Sequence, residues 1–395
     1  MKPAQRLILF LHSFSGGVLM PILSLLLLER GCDLRTLPLV LGVYSATVIL
    51  CEVPTGVCAD LLGRKKTFLI SCALGVGSML ALLLSGSVWG LLPGFVLYGL
   101  SRAFSSGSLD ALIIEEYAAA HGGEGYAAIT GQLSLCQSVG LAAGAVAGGA
   151  LPNWRGYGLH LMIRLVLAAA VGLLCLAFVR ETRRERAGPR PTLRGYLCEA
   201  AGIVKGARAM AGLLVCLLST GALISLVEAY WQPMFTAIIT PEQTPLLGVV
   251  SAVGFASAAL GNVLIRRAKA AAGAAEWRRY AVLRIILAAS AALFALQANV
   301  PGFFVFYGLL YLLLGGADVL EQTLMNRMVP DAQRAGLLSV ASLSCQLGGL
   351  LACGVASAAV GTLGFAGLCL TAGAAVLLCT ASALFLRKPR KSVTN

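Results

Sequence analysis

The sequence predicts an all-α membrane protein with twelve transmembrane helices in two six-helix pseudo-repeats. Three observations carry that prediction. Of the 395 residues, 58% are apolar and only 12% are charged. A soluble domain carries about 25% charged residues, so this chain has too little polar surface to face water. Apolar stretches follow one another along the chain, each near the ~20 residues that cross a hydrocarbon core. A basic, proline-bearing stretch from Arg180 to Arg208 divides them six and six. Backbone polar groups in lipid must be satisfied internally, so runs of this length are read as helices.

In chain order the first six spans are expected at 4–28, 37–59, 67–86, 90–114, 126–150 and 158–179. The second six are expected at 209–238, 244–266, 277–297, 301–327, 334–361 and 363–386. Tilt accommodates those longer than about 20 residues. The first span is too long for a signal peptide and lacks a small-residue cleavage site, so no cleaved leader is expected. Three regions follow: an N-terminal bundle (1–180), a cytoplasmic linker (181–208) and a C-terminal bundle (209–395). The linker carries Arg183, Arg184, Arg186, Arg190 and Arg194, and an amphipathic surface helix is expected near Leu193 to Arg208.

Loop charges set the orientation. Lys2, Arg6, Arg64, Lys65, Lys66, the linker, Arg266, Arg267, Lys269, Arg278, Arg279, Arg334 and the 387–391 tail fall on one side. The other side holds only Arg30, Arg35 and Arg155. Positive charge stays inside, so both termini are expected in the cytoplasm. The net charge of +13 is then a matter of topology, and nucleic acid is not an expected partner; the lipid bilayer is. Twelve cysteines include no closely spaced C-x-x-C pair, and most lie in apolar runs, such as Cys72, Cys175 and Cys369. They read as small buried residues. Cys32 alone falls in an outer loop, so no outer disulfide is expected, and no metal site either.

The halves read as repeats. Pro93 to Leu100 (PGFVLYGL) parallels Pro301 to Leu309 (PGFFVFYGL) with one insertion, and Cys136-Gln137 parallels Cys345-Gln346. Tyr98 to Tyr307 and Cys136 to Cys345 share one offset, 209 residues. Two similar bundles around a shared midplane site are the architecture of alternating access.

The second and third spans are joined by Gly56-Val57-Cys58-Ala59-Asp60-Leu61-Leu62-Gly63-Arg64-Lys65-Lys66. This loop resembles the signature of the major facilitator superfamily, G-x-L-A-D-R-x-G-R-[RK]. It matches at Gly56, Ala59, Asp60, Gly63, Arg64 and Lys65, and departs at Cys58 and Leu61. By its chemistry Gly56 allows close helix approach, Asp60 accepts from Arg64 or from helix N-terminal N–H groups, and Gly63 permits a tight turn. The resemblance implies the major facilitator fold and a gating role for Gly56, Asp60, Gly63, Arg64 and Lys65. For Arg64, Lys65 and Lys66 the other reading is as plain positive-inside anchors. Glu52-Val53-Pro54-Thr55-Gly56 resembles bacterial drug-exporter-like members, and Arg102 resembles the family's intramembrane arginine. The glycines Gly140, Gly144, Gly148 and Gly149 of the fifth span read as a close packing face, whose family counterpart is associated with antiport.

A charge at the bilayer centre costs at least about 2.5–3.5 kcal/mol, so it marks a pathway or a partner. In the family the first, fourth, seventh and tenth helices line the cavity. The resemblance therefore implies substrate- or proton-binding roles for His12, Arg102, Asp110, Glu228, Trp231, Gln232, Asp318, Glu321 and Gln322. Glu228, Trp231 and Gln232 share one helix face by their i, i+3, i+4 spacing, and Asp318, Glu321 and Gln322 repeat it. Structural alternatives stand beside these roles. Arg102 has Asp110 as a packing partner, Glu52 and His12 read as satisfied polar residues, Glu321 as an inner-gate residue, and Arg164 has no assigned role.

No Walker phosphate loop and no H-E-x-x-H motif occur, so neither ATP-driven pumping nor enzymatic chemistry is expected, and no cofactor. The resemblance and the acidic cavity helices together imply a secondary active transporter: a proton-coupled exporter of amphipathic or cationic compounds. The alternatives are a carrier of a specific metabolite or anion, and a transport-inactive sensor or scaffold. A monomer in a bacterial cell membrane is the expected setting.

Overall fold

The computed structural model describes residues 1–106, 108–121, 126–151, 157–179, 208–268, 273–328 and 334–387. The linker, Arg208 excepted, and the tail beyond Arg387 lie outside them, as does the surface helix expected there. All regular structure among the described residues is helical.

The first span is built in two pieces, α1 (Pro3–Leu19) and α2 (Leu23–Glu29), joined by a 3-10 turn at Met20–Ile22. Pro21 sits in that turn and has no N–H to continue the helix. Then follow α3 (Thr36–Leu62), α4 (Arg64–Leu84), α5 (Val88–Ser105), α6 (Leu109–His121), α7 (Tyr126–Ala150) and α8 (Gly158–Phe178). The later elements are α9 (Arg208–Thr236), α10 (Leu246–Arg267), α11 (Ala274–Ala295), α12 (Val300–Asn326) and α13 (Arg334–Leu386). Eight stretches among the described residues are long and apolar enough to cross a membrane. One of them, Val340–Leu386, has 47 residues, about twice the ~20 a crossing needs. Gly364, at φ 61° and ψ −177°, breaks it in the middle.

Helix ends follow local chemistry. Asp33 accepts from the backbone N–H of Thr36 at 2.7 Å, the Thr36 hydroxyl at 2.8 Å and the Arg35 N–H at 3.0 Å. These donors, the Thr36 N–H first, hold its carboxyl below the ordinary carboxylate range and fix the start of α3. Ser87 caps α5 through the Gly90 N–H, and Asn299 caps α12 through that of Gly302.

The chain divides into two compact units. Met1–Arg190 with Gln232–Ala252 forms the first, and Pro191–Trp231 with Val253–Asn395 the second. In the first, Ile8, Leu9, Phe68, Ile113, Ile129 and Val171 make a buried core. In the second the core gathers Met210, Leu213, Trp277, Tyr280, Leu320 and Leu324. Leu50, Leu84 and Phe385 stand 74%, 86% and 75% exposed, as lipid-facing side chains do.

Within the first unit α1 lies directly on α7. A Cβ added at Gly144 would strike the Phe14 carbonyl oxygen and the Gly17 Cα of α1, and Gly140 and Gly148 meet α1 in the same way. The glycine face expected of the fifth span is therefore a helix contact. The obstacle is backbone, which cannot swing aside. Gly144→Ala is expected to destabilise by about 1–3 kcal/mol, the usual range for overpacking, read as a lower melting temperature in detergent. An unchanged melting temperature would mean that α1 moves away at no cost.

Candidate functional site

In the second unit Glu228 of α9 meets α12. The Tyr311 hydroxyl donates to Glu228 Oε1. Tyr307 lies one turn back on α12, its ring 4.6 Å from that of Tyr311 and 5.4 Å from that of Trp231. Trp231 and Tyr307 are only 1% and 3% exposed. The predicted face pairing of Glu228 with Trp231 is thus present. Its aromatic partners Tyr307 and Tyr311 were legible as apolar-helix residues, but only the fold brings them to the carboxylate.

Farther along α12, Asp318 accepts from Gln322 Nε2 at 3.0 and 2.9 Å, and both residues are exposed. Tyr307, Tyr311, Asp318 and Gln322 follow one another at spacings of four, seven and four residues, one stripe of a helix. The rise of 1.5 Å per residue puts Asp318 about 10 Å along the axis from Tyr311. The stripe runs from the buried Tyr307 ring to the exposed Asp318–Gln322 pair.

Glu321 turns the other way. It is 2% exposed, forms an ion pair with Arg284 Nη1 at 3.0 Å, and accepts from the Tyr280 hydroxyl at 2.7 Å. Arg284 is fully buried in α11. Its remaining donors reach Thr380 Oγ1 (2.8 Å), Thr220 Oγ1 (2.7 Å), Ser219 Oγ (2.6 Å) and the Cys216 carbonyl (3.1 Å). Such saturation ties three further helical segments to α11. Glu321 is a bundle anchor here, not part of the Asp318–Gln322 stripe. Sequence reading missed Arg284, although its signal was present: a lone charge well inside an apolar run.

In the first unit Gln232 is committed to backbone. Its Nε2 donates to the Met20 carbonyl at 2.7 Å, and its Oε1 accepts from the Ser24 N–H at 2.6 Å. Those two backbone groups are an i, i−4 pair that α1 and α2 fail to join at Pro21. Gln232 is 1% exposed, and its amide serves the first span rather than the Glu228 cluster that its spacing suggested.

Arg102 of α5 is exposed and acts electrostatically on Glu52, Asp110 and Tyr44. Asp110 accepts from Gln137 Nε2 at 3.1 and 3.0 Å. The Glu52 Oε2 is buried without a hydrogen-bond partner among the described residues. His12 packs edge-on to Phe68, the centroids 5.3 Å apart. These residues all belong to the first unit, Arg102 exposed and Glu52, Asp110 and His12 half-buried.

The loop between α3 and α4 shows part of its expected design. Gly63 takes φ 95° and ψ 151°, a left-handed turn that favours glycine. Lys65 Nζ donates to the Leu176 carbonyl at the end of α8, at 3.0 Å. Arg64 opens α4. Gly56 departs from expectation: a Cβ there would meet nothing within 4 Å, so this glycine does not serve close helix approach. The Asp60 side chain lies outside the described residues. At the same end of the first unit, Glu116 accepts from Lys2 and Gln5, which makes it a paired residue.

Comparisons agree with this architecture. A single-site mutant of the nucleoside transporter NupG superposes with a TM-score of 0.82 at 14% identity, covering 98% of this chain and 99% of that one. A bacterial homologue of the human lysosomal transporter Spinster, in an inward-facing and occupied conformation, gives 0.75 at 14% identity over 98% and 97%. The human organic anion transporter MFSD10 (TETRAN) gives 0.65 at 17% identity over 97% and 100%. At such identities the likeness shows the fold alone. No curated protein sequence matches. The Major Facilitator Superfamily profile matches residues 7–273, about two thirds of the chain. The chain belongs to the Major Facilitator Superfamily; it is a multi-pass membrane transporter and not an enzyme.

Proposed function

We propose that this protein is a proton-coupled exporter of amphipathic or cationic small molecules, with twelve spans in two six-helix repeats working by alternating access. The observation that carries the reading is the Glu228 carboxylate, hydrogen-bonded to Tyr311, whose ring packs on Tyr307 and through it on Trp231. A carboxylate beside aromatic faces suits an organic cation, through charge and cation–π attraction together. The same oxygen takes a proton when the cation leaves. Competition of the two for one carboxylate couples their movements in opposite directions. Asp318, on the same stripe of α12 and open to water, is the relay between Glu228 and the aqueous phase. Both termini lie in the cytoplasm of a cell membrane, and a monomer suffices.

The test uses purified protein in liposomes with an imposed pH gradient and a panel of cationic dyes, neutral amphiphiles and nucleosides. Gradient-driven movement of the dyes is expected. Asp318→Asn is expected to slow it several-fold without abolishing it, because Glu228 still loads its proton by a slower route. Dye movement indifferent to the gradient would sink the coupling. A second reading, a carrier of a specific anion, is favoured by one observation: Arg102 is exposed within its unit. Movement of organic anions but not of dyes would select it.

A further inference from the structure

The first unit holds a partly open cavity of about 50 Å³. His12 and Ser15 of α1, Ser71 of α4, Tyr98 and Ser101 of α5 and Arg164 of α8 line it. The volume is several times the ~10–15 Å³ one water needs, and far below the ~300 Å³ of a drug-sized site. Arg164 lays the face of its guanidinium on the Tyr98 ring, 4.4 Å from the centroid. Stacking uses the face and leaves the N–H edge free. Arg164 Nη1 is buried and has no hydrogen-bond partner among the described residues. Among the described residues no carboxylate lines the cavity. Arg102 and Arg164 both act electrostatically on His12, one of the lining residues.

The second unit shows how the same fold completes such a site. At the repeat offset of 209 residues, Gly75 corresponds to Arg284 and Arg164 to Gly373. Each half therefore pairs one arginine with one glycine across the same two helices, in opposite order. Gly75 faces Ser101 and Ala168, and Gly373 faces Ala288, each a turn from the arginine opposite. In the second unit Glu321 neutralises the guanidinium. At the same offset the first unit has Leu112. The cation is kept and its acid is missing.

We propose that the cavity binds one small monovalent anion, in the plane of the Arg164 guanidinium and within reach of the Ser15 hydroxyl, and that this anion replaces the missing carboxylate. A free halide and the carboxylate of a small acid share this chemistry. It is a fixed counter-ion site inside the first unit, independent of the Glu228 reading.

The experiment follows thermal unfolding of the detergent-solubilised protein. Chloride, bromide or formate is titrated against gluconate, which is too large for the cavity. A saturable upward shift of several degrees is expected, because an ion that binds only the folded state stabilises it. Chloride and bromide acting alone assign a halide; formate acting alone assigns a carboxylate. Arg164→Gln should remove the shift. No shift with any of the three ions, or a shift of native size in Arg164→Gln, overturns the proposal. If that variant does not fold, bromide is located by anomalous scattering in crystals of the native protein. Bromide in the cavity supports the site, and bromide bound only elsewhere overturns it.

Discussion

Glu228→Gln is expected to reduce gradient-driven transport to the rate of empty liposomes, while exchange of neutral amphiphiles across a membrane without a gradient persists. Glutamine keeps an oxygen for the Tyr311 hydroxyl, so the local packing survives. It has no acidic proton to carry. A carrier so changed shuttles neutral compounds both ways but cannot be driven. Two consequences separate proton loading from cation binding. If the carboxylate acts only as a ligand for cations, the variant loses affinity for dyes and still drives neutral amphiphiles. If it carries the proton, both are lost. Native gradient-driven rates in Glu228→Gln, for dyes and neutral compounds alike, would remove Glu228 from the mechanism. Tyr311→Phe keeps the acid and should retain coupling, with its pH profile displaced.

The second large effect concerns stability. Arg284→Met is expected to destabilise the protein by about 3–5 kcal/mol, the range for breaking a buried ion pair. The substitution leaves Glu321 buried beside Tyr280 and strips donors from Thr220, Ser219, Thr380 and the Cys216 carbonyl. The double variant Arg284→Met/Glu321→Leu is expected to recover much of the loss, since no charge then stays unpaired. Denaturant titration in detergent, read as a double-mutant cycle, gives the coupling. Equal and additive losses in the two single variants would show that the pair does not anchor the bundle. Asp318→Asn serves as the control: its side chain is exposed and accepts only from Gln322 among the described residues, so stability should hardly change.

The helical, lipid-embedded character was plain in the sequence because it follows from composition and run length, and lipid permits few alternatives. The turn at Gly63 was equally legible, since a sharp link between two long helices needs positive φ. Side-chain roles were harder to see. Spacing placed Glu228, Trp231 and Gln232 on one face, yet Gln232 serves the broken turn of α1, a partner more than two hundred residues away in sequence. Spacing likewise grouped Glu321 with Asp318, although about 60° of helix rotation is enough to send one to the core and the other to water. Arg284 and Arg164 look alike in sequence, each a single arginine in an apolar run. One is saturated with partners and the other is not, and that difference depends on residues from three other helices.

The break at Met20–Ile22 links the shape of the first span to one side chain of α9. With Gln232 inserted, the Met20 carbonyl and the Ser24 N–H are both satisfied. Were the side chain withdrawn, the same two groups could bond to one another across one ordinary helical turn. Straightening strands no backbone group, but it frees the buried Gln232 amide, which then needs other partners. The shape of the first span is therefore tied to where that one side chain finds its hydrogen bonds.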